Sequence, residues 1–220
     1  MAYIDFITQN HTKTKRNYLE RVNEDPKAEV ATIASKFDED YWDGERKYGY
    51  GGYRYDGRWE KVAQKLIDHY QLKPGDKVLD IGCGKGFLLY DLSIAVPGID
   101  IVGIDISSYA IEHAKDEIKD KLIVANATSL PFENNEFDLV ISLNTLHNLP
   151  CHMLEKALNE MQRVGKKNKY LVVESYRNEE EKVNLLYWQL TCQSFFSPDE
   201  WQWWFKHCHY TGDHGFIYFE

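Results

Sequence analysis

The run Val78-Leu79-Asp80-Ile81-Gly82-Cys83-Gly84-Lys85-Gly86 constrains this chain more than any other stretch. A short apolar segment ends on an acid, three alternate glycines follow, and a second apolar segment begins at Phe87. Glycines at that spacing let a backbone turn sharply and approach a ligand without Cβ clashes. The turn is therefore read as joining a strand, 77–81, to a helix, 87–96.

The same alternation continues downstream. Apolar runs predict strands at 101–105, 122–125, 137–143 and 170–174, with helices at 108–119 and 152–164. Met153, Leu154, Ala157, Leu158, Met161 and Val164 give the last helix its buried face, and Gly165 ends it. Ahead of the turn, Trp59, Val62, Ala63, Leu66, Ile67 and Tyr70 form one helical stripe. Strands that alternate with helices form a parallel sheet covered on both faces.

The flanks differ from this core. Residues 1–37 read as polar and helical, with Asp25-Pro26 as a helix start. Residues 41–59 fit neither period and hold five Tyr, two Trp, five Gly and three Arg. This block reads either as a loop packed on the body or as a lid over a site. Residues 178–192 predict a helix. Ser197-Pro198-Asp199-Glu200 has capping-box spacing for another. Gly212-Asp213-His214-Gly215 reads as a turn before a closing strand at 216–219. The expected organisation is a single domain, 1–220: helices and aromatic lid at 1–58, the strand–helix core at 59–176, and an insertion with closing helix and strand at 177–220.

Length and charge narrow the function. With 220 residues and 43% hydrophobic content, the chain can bury one sizeable core and is not disordered. A net charge of -9 opposes duplex nucleic acid and anionic membranes. No run of about 18 apolar residues and no secretory pattern is visible. Cys83, Cys151, Cys192 and Cys208 form no CxxC pair, so reduced thiols in the cytoplasm are expected, without a disulfide framework. His207, Cys208, His209 and His214 lack a ligand set of known spacing, so no metal is expected.

The ligand of the glycine turn follows partly by elimination. A phosphate-binding P-loop needs Ser or Thr after Lys85, where Gly86 stands. The dinucleotide pattern GxGxxG matches only in part. The form DxGxGxG resembles the first motif of class I S-adenosylmethionine (SAM) methyltransferases. Three later segments fit that family in order: Val102-Gly103-Ile104-Asp105-Ile106-Ser107, Ala125-Asn126-Ala127 before Leu130-Pro131-Phe132, and Phe137-Asp138-Leu139-Val140-Ile141-Ser142. The resemblance covers about residues 60–176. It implies a three-layer Rossmann-like sandwich with a mostly parallel, seven-stranded sheet whose last strand is antiparallel.

It also implies roles in binding S-adenosyl-L-methionine. Asp80, Gly82 and Gly84 would hold the methionine portion. Asp105, with Ile106 beside it, would hold the ribose. Asn126 and Ala127 would flank the adenine, and Leu143 would lie under the sulfonium. Asn126 departs from the family's usual Asp, although its amide oxygen keeps the capacity to accept a hydrogen bond. Cys83 and Lys85 occupy variable motif positions and receive no role.

For the acceptor, His147 is the candidate base, with helix capping or cofactor contact as its other readings. Asn144 and Asn148 are candidates for orienting a substrate. The Asn/Asp-Pro-Pro-aromatic motif of nucleic-acid amino-methylating enzymes is absent after Leu143, so a small polar metabolite or sugar is favoured over nucleic acid. Tyr41, Tyr50 and Tyr53 would wall its pocket, with Arg46, Arg54 or Arg58 gripping an anionic group. Glu174 and Tyr176, past the fifth strand, could also reach it. Tyr187, Trp188, Phe195 and Phe196 are pocket or core. The aromatic block faintly resembles methyltransferases of bacterial surface polysaccharides. A non-catalytic SAM-binding module and an NAD-dependent oxidoreductase are the competing readings, and the chain is expected as monomer or homodimer without a membrane partner.

Overall fold

The structure is a computed structural model that describes residues 1–8 and 17–220. The expected helical reading at 9–16 lies outside the described residues. Three short helices, α1 (Tyr18–Asn23), α2 (Lys27–Ala34) and α3 (Glu39–Trp42), precede the amphipathic α4 (Glu60–Tyr70). The core then runs β1 (Lys77–Ile81), α5 (Phe87–Ala95), β2 (Asp100–Asp105), α6 (Ser108–Glu112), β3 (Leu122–Val124), β4 (Phe137–Leu143), α7 (Cys151–Val164) and β5 (Gly165–Glu174). After it come α8 (Glu179–Trp188), α9 (Pro198–His207) and β6 (Asp213–Ile217).

The six strands lie in the order β3-β2-β1-β4-β5-β6. Strand alternation divides the core into two layers. Val78, Leu139, Ile141 and Val172 face α4 and α5 through Leu66, Leu88 and Leu92. Leu79, Val140, Leu171 and Val173 face α7 and α9 through Leu158, Met161, Trp201 and Phe205. The result is the expected three-layer Rossmann-like sandwich. The chain leaves β1 toward β2 on one side and returns to β4 on the other. The carboxyl ends of β1 and β4 therefore flank the crevice where such sheets bind ligands.

The strand count and the direction of the last strand correct the sequence expectation. The described residues form six strands, and β6 runs parallel to β5, from Tyr170 opposite Asp213 to Glu174 opposite Ile217. The physical reason is the connection. The two helices α8 and α9 carry the chain back to the end of the sheet where β5 began, as a parallel crossover requires. The residues expected to form a turn, Asp213, His214 and Gly215, lie inside β6. The outer edge of β6 is covered by residues 2–4. Ile4 N–H donates to the His214 carbonyl at 2.8 Å, and His214 N–H donates to the Ala2 carbonyl at 3.0 Å. A Cβ on Gly215 would stand 2.8 Å from the Ile4 carbonyl oxygen, so glycine permits this close approach.

Two helices are shorter than their sequence patterns suggest. The expected 108–119 helix ends at Glu112, and Ile118 packs instead against Gly86. The expected 178–192 helix ends at Trp188. Beyond it, Gln193 and Ser194 donate backbone N–H groups to the His147 carbonyl at 3.0 and 2.9 Å. Residues 189–196 thus lie as an irregular strap beside the carboxyl end of β4. The capping box at Ser197 and Glu200 forms as its spacing predicts.

Leu66 is fully buried at the α4–sheet contact, so Leu66→Ala should lower unfolding free energy by about 2–5 kcal/mol. Ser197→Ala removes one cap and should cost about 1 kcal/mol. Urea denaturation of both variants checks this, and equal losses would contradict the layer assignment.

Candidate functional site

At the end of β1, Gly82 and Gly84 have φ of +81° and +55°, backbone conformations that a side chain would strain. A Cβ on Gly82 would fall 2.1 Å from the Thr145 hydroxyl oxygen. The turn brings the Gly84 N–H to Asp105 Oδ2 at 2.8 Å, and the Ser107 N–H reaches Asp105 Oδ1 at 2.9 Å. Asp105 is thereby fixed at the end of β2, with lone pairs left on both oxygens. Asp80 has no such partner. It is buried, and its Oδ1 meets no hydrogen-bond donor among the described residues. Burial, and then the neighbouring Asp105 charge, push its carboxyl up to about 8.

A small cavity of about 50 Å³ lies here, lined by Asp80, Gly82, Gly84, Leu143 and Asn144, with Trp42, Tyr50 and Tyr53 opposite. The donor set fits the amino-acid end of SAM, because an ammonium group would supply what the orphaned carboxylate lacks. Asp105 fits two hydroxyls. Farther along, Ile106 is 56% exposed beside it. Asn126 is exposed, and its Oδ1 accepts from Thr128 N–H and Oγ, both at 2.9 Å. Ala127 packs at the edge of the second core layer. The methionine end of the cleft is therefore enclosed, whereas the adenine end is open.

The aromatic block lies directly over this turn. The Trp42 ring rests on Gly84, and its Nε1–H donates to Ser107 Oγ at 2.9 Å and the Phe37 carbonyl at 3.0 Å. Asp43 accepts from the buried Lys85 ammonium at 2.6 Å, from the Tyr109 hydroxyl at 2.9 Å and from the Tyr53 N–H at 3.0 Å. Tyr50 stacks on Trp42 with ring centres 5.3 Å apart. Lys85, which received no role from the sequence, fastens the block to the glycine turn. Its motif position carries no signal of this, since Asp43 is far away in the chain.

A larger cavity of about 280 Å³ adjoins the first and shares Tyr50, Tyr53, Trp59 and Asn144 with it. Its floor is Asn144, His147 and Glu174, all at the carboxyl ends of β4 and β5. Asn144 adopts φ of +56°, and its buried Oδ1 has no donor among the described residues. Tyr41 stands in the wall, where burial pushes its phenol well above the ordinary range. Gln189 and Thr191 on the strap close the far side, and Arg21, Arg46 and Arg58 stand around the cavity with Trp188.

His147 is buried, and burial pulls its imidazole down to about 3, so it is neutral. The Glu174 N–H points at His147 Nδ1 at 3.4 Å, and Nε2 lies 3.4 Å from Glu174 Oε2. The amide occupies the Nδ1 lone pair and places the ring proton on Nε2. Gln189 Nε2 donates to Glu174 Oε1.

Of the residues expected at the acceptor site, Tyr41, Tyr50, Tyr53, Arg58, Asn144, His147 and Glu174 line this cavity. Arg54 lines neither cavity, and Tyr176 lies in a separate surface recess, where its hydroxyl approaches Glu200 at 3.3 Å. Sequence reasoning missed Arg21, Gln189 and Thr191. Arg21 sits in a polar helix, and the other two in a segment read as helix, so nothing in their spacing marks them. Among the described residues no group of three His, Cys, Asp or Glu could hold a metal ion. His207 pairs with Glu155, and His214 with Gln202.

The raised Asp80 carboxyl has a consequence for stability. Its folded value lies above the unfolded value of about 3.9. The native state is thus favoured while the acid is protonated, and that advantage is lost as pH rises from about 4 to 8. Wild type should lose stability relative to Asp80→Asn across this window, by at most about 1.4 kcal/mol per pH unit. Denaturation of both at pH 5 and pH 8 measures the difference. Parallel pH curves would contradict the burial argument.

The methyltransferase-domain family model matches residues 72–208, more than half of the chain. A demethylmenaquinone methyltransferase of Symbiobacterium thermophilum is 33% identical over 118 residues, covering 50% of this chain and 46% of that relative. An uncharacterized protein of Methanocaldococcus jannaschii is 39% identical over 112 residues, covering 51% of this chain and 41% of its own length. The matched region thus spans less than half of these curated relatives. Among solved structures, the YcgJ protein of Bacillus subtilis superposes with a TM-score of 0.55 at 23% identity, over 66% of each chain, which speaks for the fold. The chain therefore belongs to the methyltransferase-domain family, of the class I SAM-dependent, Rossmann-like type.

Proposed function

We propose that this protein methylates an oxygen or nitrogen of a small polar molecule held in the 280 Å³ cavity. The observation that carries the reading is the shared wall: Asn144, Tyr50 and Tyr53 belong to both cavities. A cofactor held at Asp80 and an acceptor held at Glu174 would meet at Asn144. SAM, when bound, supplies a methyl group already activated by its sulfonium.

The protein's part is alignment and proton management. The unpartnered Asn144 Oδ1 accepts from the O–H or N–H of the attacking atom and fixes its direction. Glu174 Oε2, at the same cavity, takes up the proton that the attacking atom loses on methylation. We assign this role to Glu174 rather than His147, because the His147 lone pair is engaged by the Glu174 amide. His147 Nε2 lies 3.4 Å from Glu174 Oε2, and Gln189 holds the other carboxylate oxygen. Tyr41 and Tyr50 offer neutral phenols along the wall. A metabolite or sugar of the size of a surface-polysaccharide precursor unit suits the cavity, whereas the net charge of -9 disfavours nucleic acid. No described helix is long and apolar enough to cross a membrane. All four cysteines are free, in keeping with a cytoplasmic setting.

Two measurements test the reading. S-adenosylhomocysteine at 100 times its dissociation constant should stabilise the fold by about 2.7 kcal/mol, a rise in Tm of roughly 5–10 °C. NADH should give no rise. Stabilisation by NADH alone would favour an oxidoreductase, and stabilisation by S-adenosylhomocysteine with no transfer to any acceptor would favour a non-catalytic module. With radiolabelled SAM and a panel of hydroxylated and amino acceptors, Glu174→Gln should cut kcat by about 10²–10⁴ with little change in KM. His147→Asn should cost less. A larger loss for His147→Asn would restore His147 as the base.

A further inference from the structure

The rim of the acceptor cavity holds charges that methyl transfer does not require. Arg21 on α1 and Arg46 in the aromatic block bring their guanidinium carbons to 5.1 and 5.5 Å from the Trp188 ring centre. Arg21 donates from Nε to the Trp188 carbonyl and from Nη1 to the Arg46 carbonyl, both at 3.4 Å. Arg46 Nη1 donates to the Gly49 carbonyl. Among the described residues neither guanidinium forms an ion pair with a carboxylate. Lys27, close to Arg21, donates to the Leu186 and Tyr187 carbonyls. Arg58, also at this cavity, differs, because it is held by both oxygens of Asp56.

This gathering of like charge stands out in a chain of net charge -9. Burial, and then the Arg46 charge, hold the Arg21 guanidinium below its ordinary range, with Asp25 the acid acting against them. Arg21 and Lys27 repel each other as well. Five N–H groups on each guanidinium leave at least three on Arg21 and four on Arg46 without a partner named above. Both guanidiniums lie over the Trp188 ring, and a guanidinium can recognise a carboxylate or phosphate bidentately. The same cavity is lined by the acid Glu174 and the hydrogen-bond acceptor Asn144, from the carboxyl ends of β5 and β4. It therefore carries basic groups from α1 and the aromatic block and acceptor groups from the sheet.

We infer that the methyl acceptor is an anion. Arg21 and Arg46 clasp its carboxylate or phosphate against Trp188, and this directs its neutral, proton-bearing end toward Asn144 and Glu174. The inference rests on the methyltransferase reading for the floor but not for the rim. An acceptor bearing no anionic group would make no use of this paired charge and would bind without a preferred direction.

The test uses the full chain saturated with S-adenosylhomocysteine and titrated calorimetrically at constant ionic strength. The probes are inorganic phosphate and benzoate, one for each source of the anion. At least one should bind the wild type. The Arg21→Gln/Arg46→Gln double variant should bind it about tenfold more weakly or worse. Lys61→Gln, which removes an exposed charge on α4, should leave the affinity within about twofold. Phosphate binding alone identifies a phosphorylated acceptor, and benzoate binding alone a carboxylate. If the double variant does not melt cooperatively, Arg46→Gln alone, at an exposed residue, should weaken binding by at least about threefold. Binding of neither probe by the wild type, or equal binding by the arginine variants, overturns the inference. The S-adenosylhomocysteine titration that precedes each run reports separately on the methyltransferase reading, since its failure leaves the anion result standing.

Discussion

The ion pair between Lys85 and Asp43 joins the two parts of the molecule on which everything else depends. Lys85 belongs to the glycine turn, and Asp43 to the aromatic block. The lysine side chain is 5% exposed, so the pair is shielded from solvent on that side and less open to screening than a surface bridge. Through it, with Trp42 resting on Gly84, the block is held over the cofactor cleft. The same block supplies Tyr41, Tyr50 and Tyr53 to the acceptor cavity. One contact therefore forms the roof of the first cavity and a wall of the second. Loss of either partner would strand the other and loosen both cavities together.

Much of the core was legible in the sequence because parallel strands and covering helices have local signatures. Leu79, Val140 and Leu171 read as strand residues since every side of a buried strand is apolar. The glycine turn was legible because Gly82 and Gly84 occupy positions where φ is positive and space is absent. Several features were not. The direction of β6 depends on the two-helix crossover from β5, and no local pattern encodes it. His214 and Gly215 resemble turn residues, yet Gly215 serves the approach of Ile4 within a sheet. The strap after Trp188 begins inside the stretch 178–192 that reads as a helix, but the amides of Gln193 and Ser194 bind the His147 carbonyl.

The candidate site shows the same division. Asp80, Asp105 and Asn144 could be named from motif position, since the fold places strand ends in a fixed relation. His147 could be named too, but its role could not. Its protonation and the use of its lone pair depend on burial and on the Glu174 amide, both of which are tertiary. The rim arginines come from α1 and from the aromatic block and meet at Trp188 only after folding. Arg54, next in sequence to the lining Tyr53, remains outside the cavity. Side chains from segments without a repeating pattern are placed by long-range contacts, so their function is read last.

The central claim is that two cavities joined at Asn144 are the donor and acceptor halves of one methyl-transfer site. A crystal structure of the protein with S-adenosylhomocysteine tests it most directly. The account predicts the ligand's ammonium within about 3 Å of Asp80, its ribose at Asp105, and its sulfur facing the cavity floored by Asn144 and Glu174. A ligand whose sulfur faces away from that cavity, or one that leaves Asp80 without a partner, would contradict it.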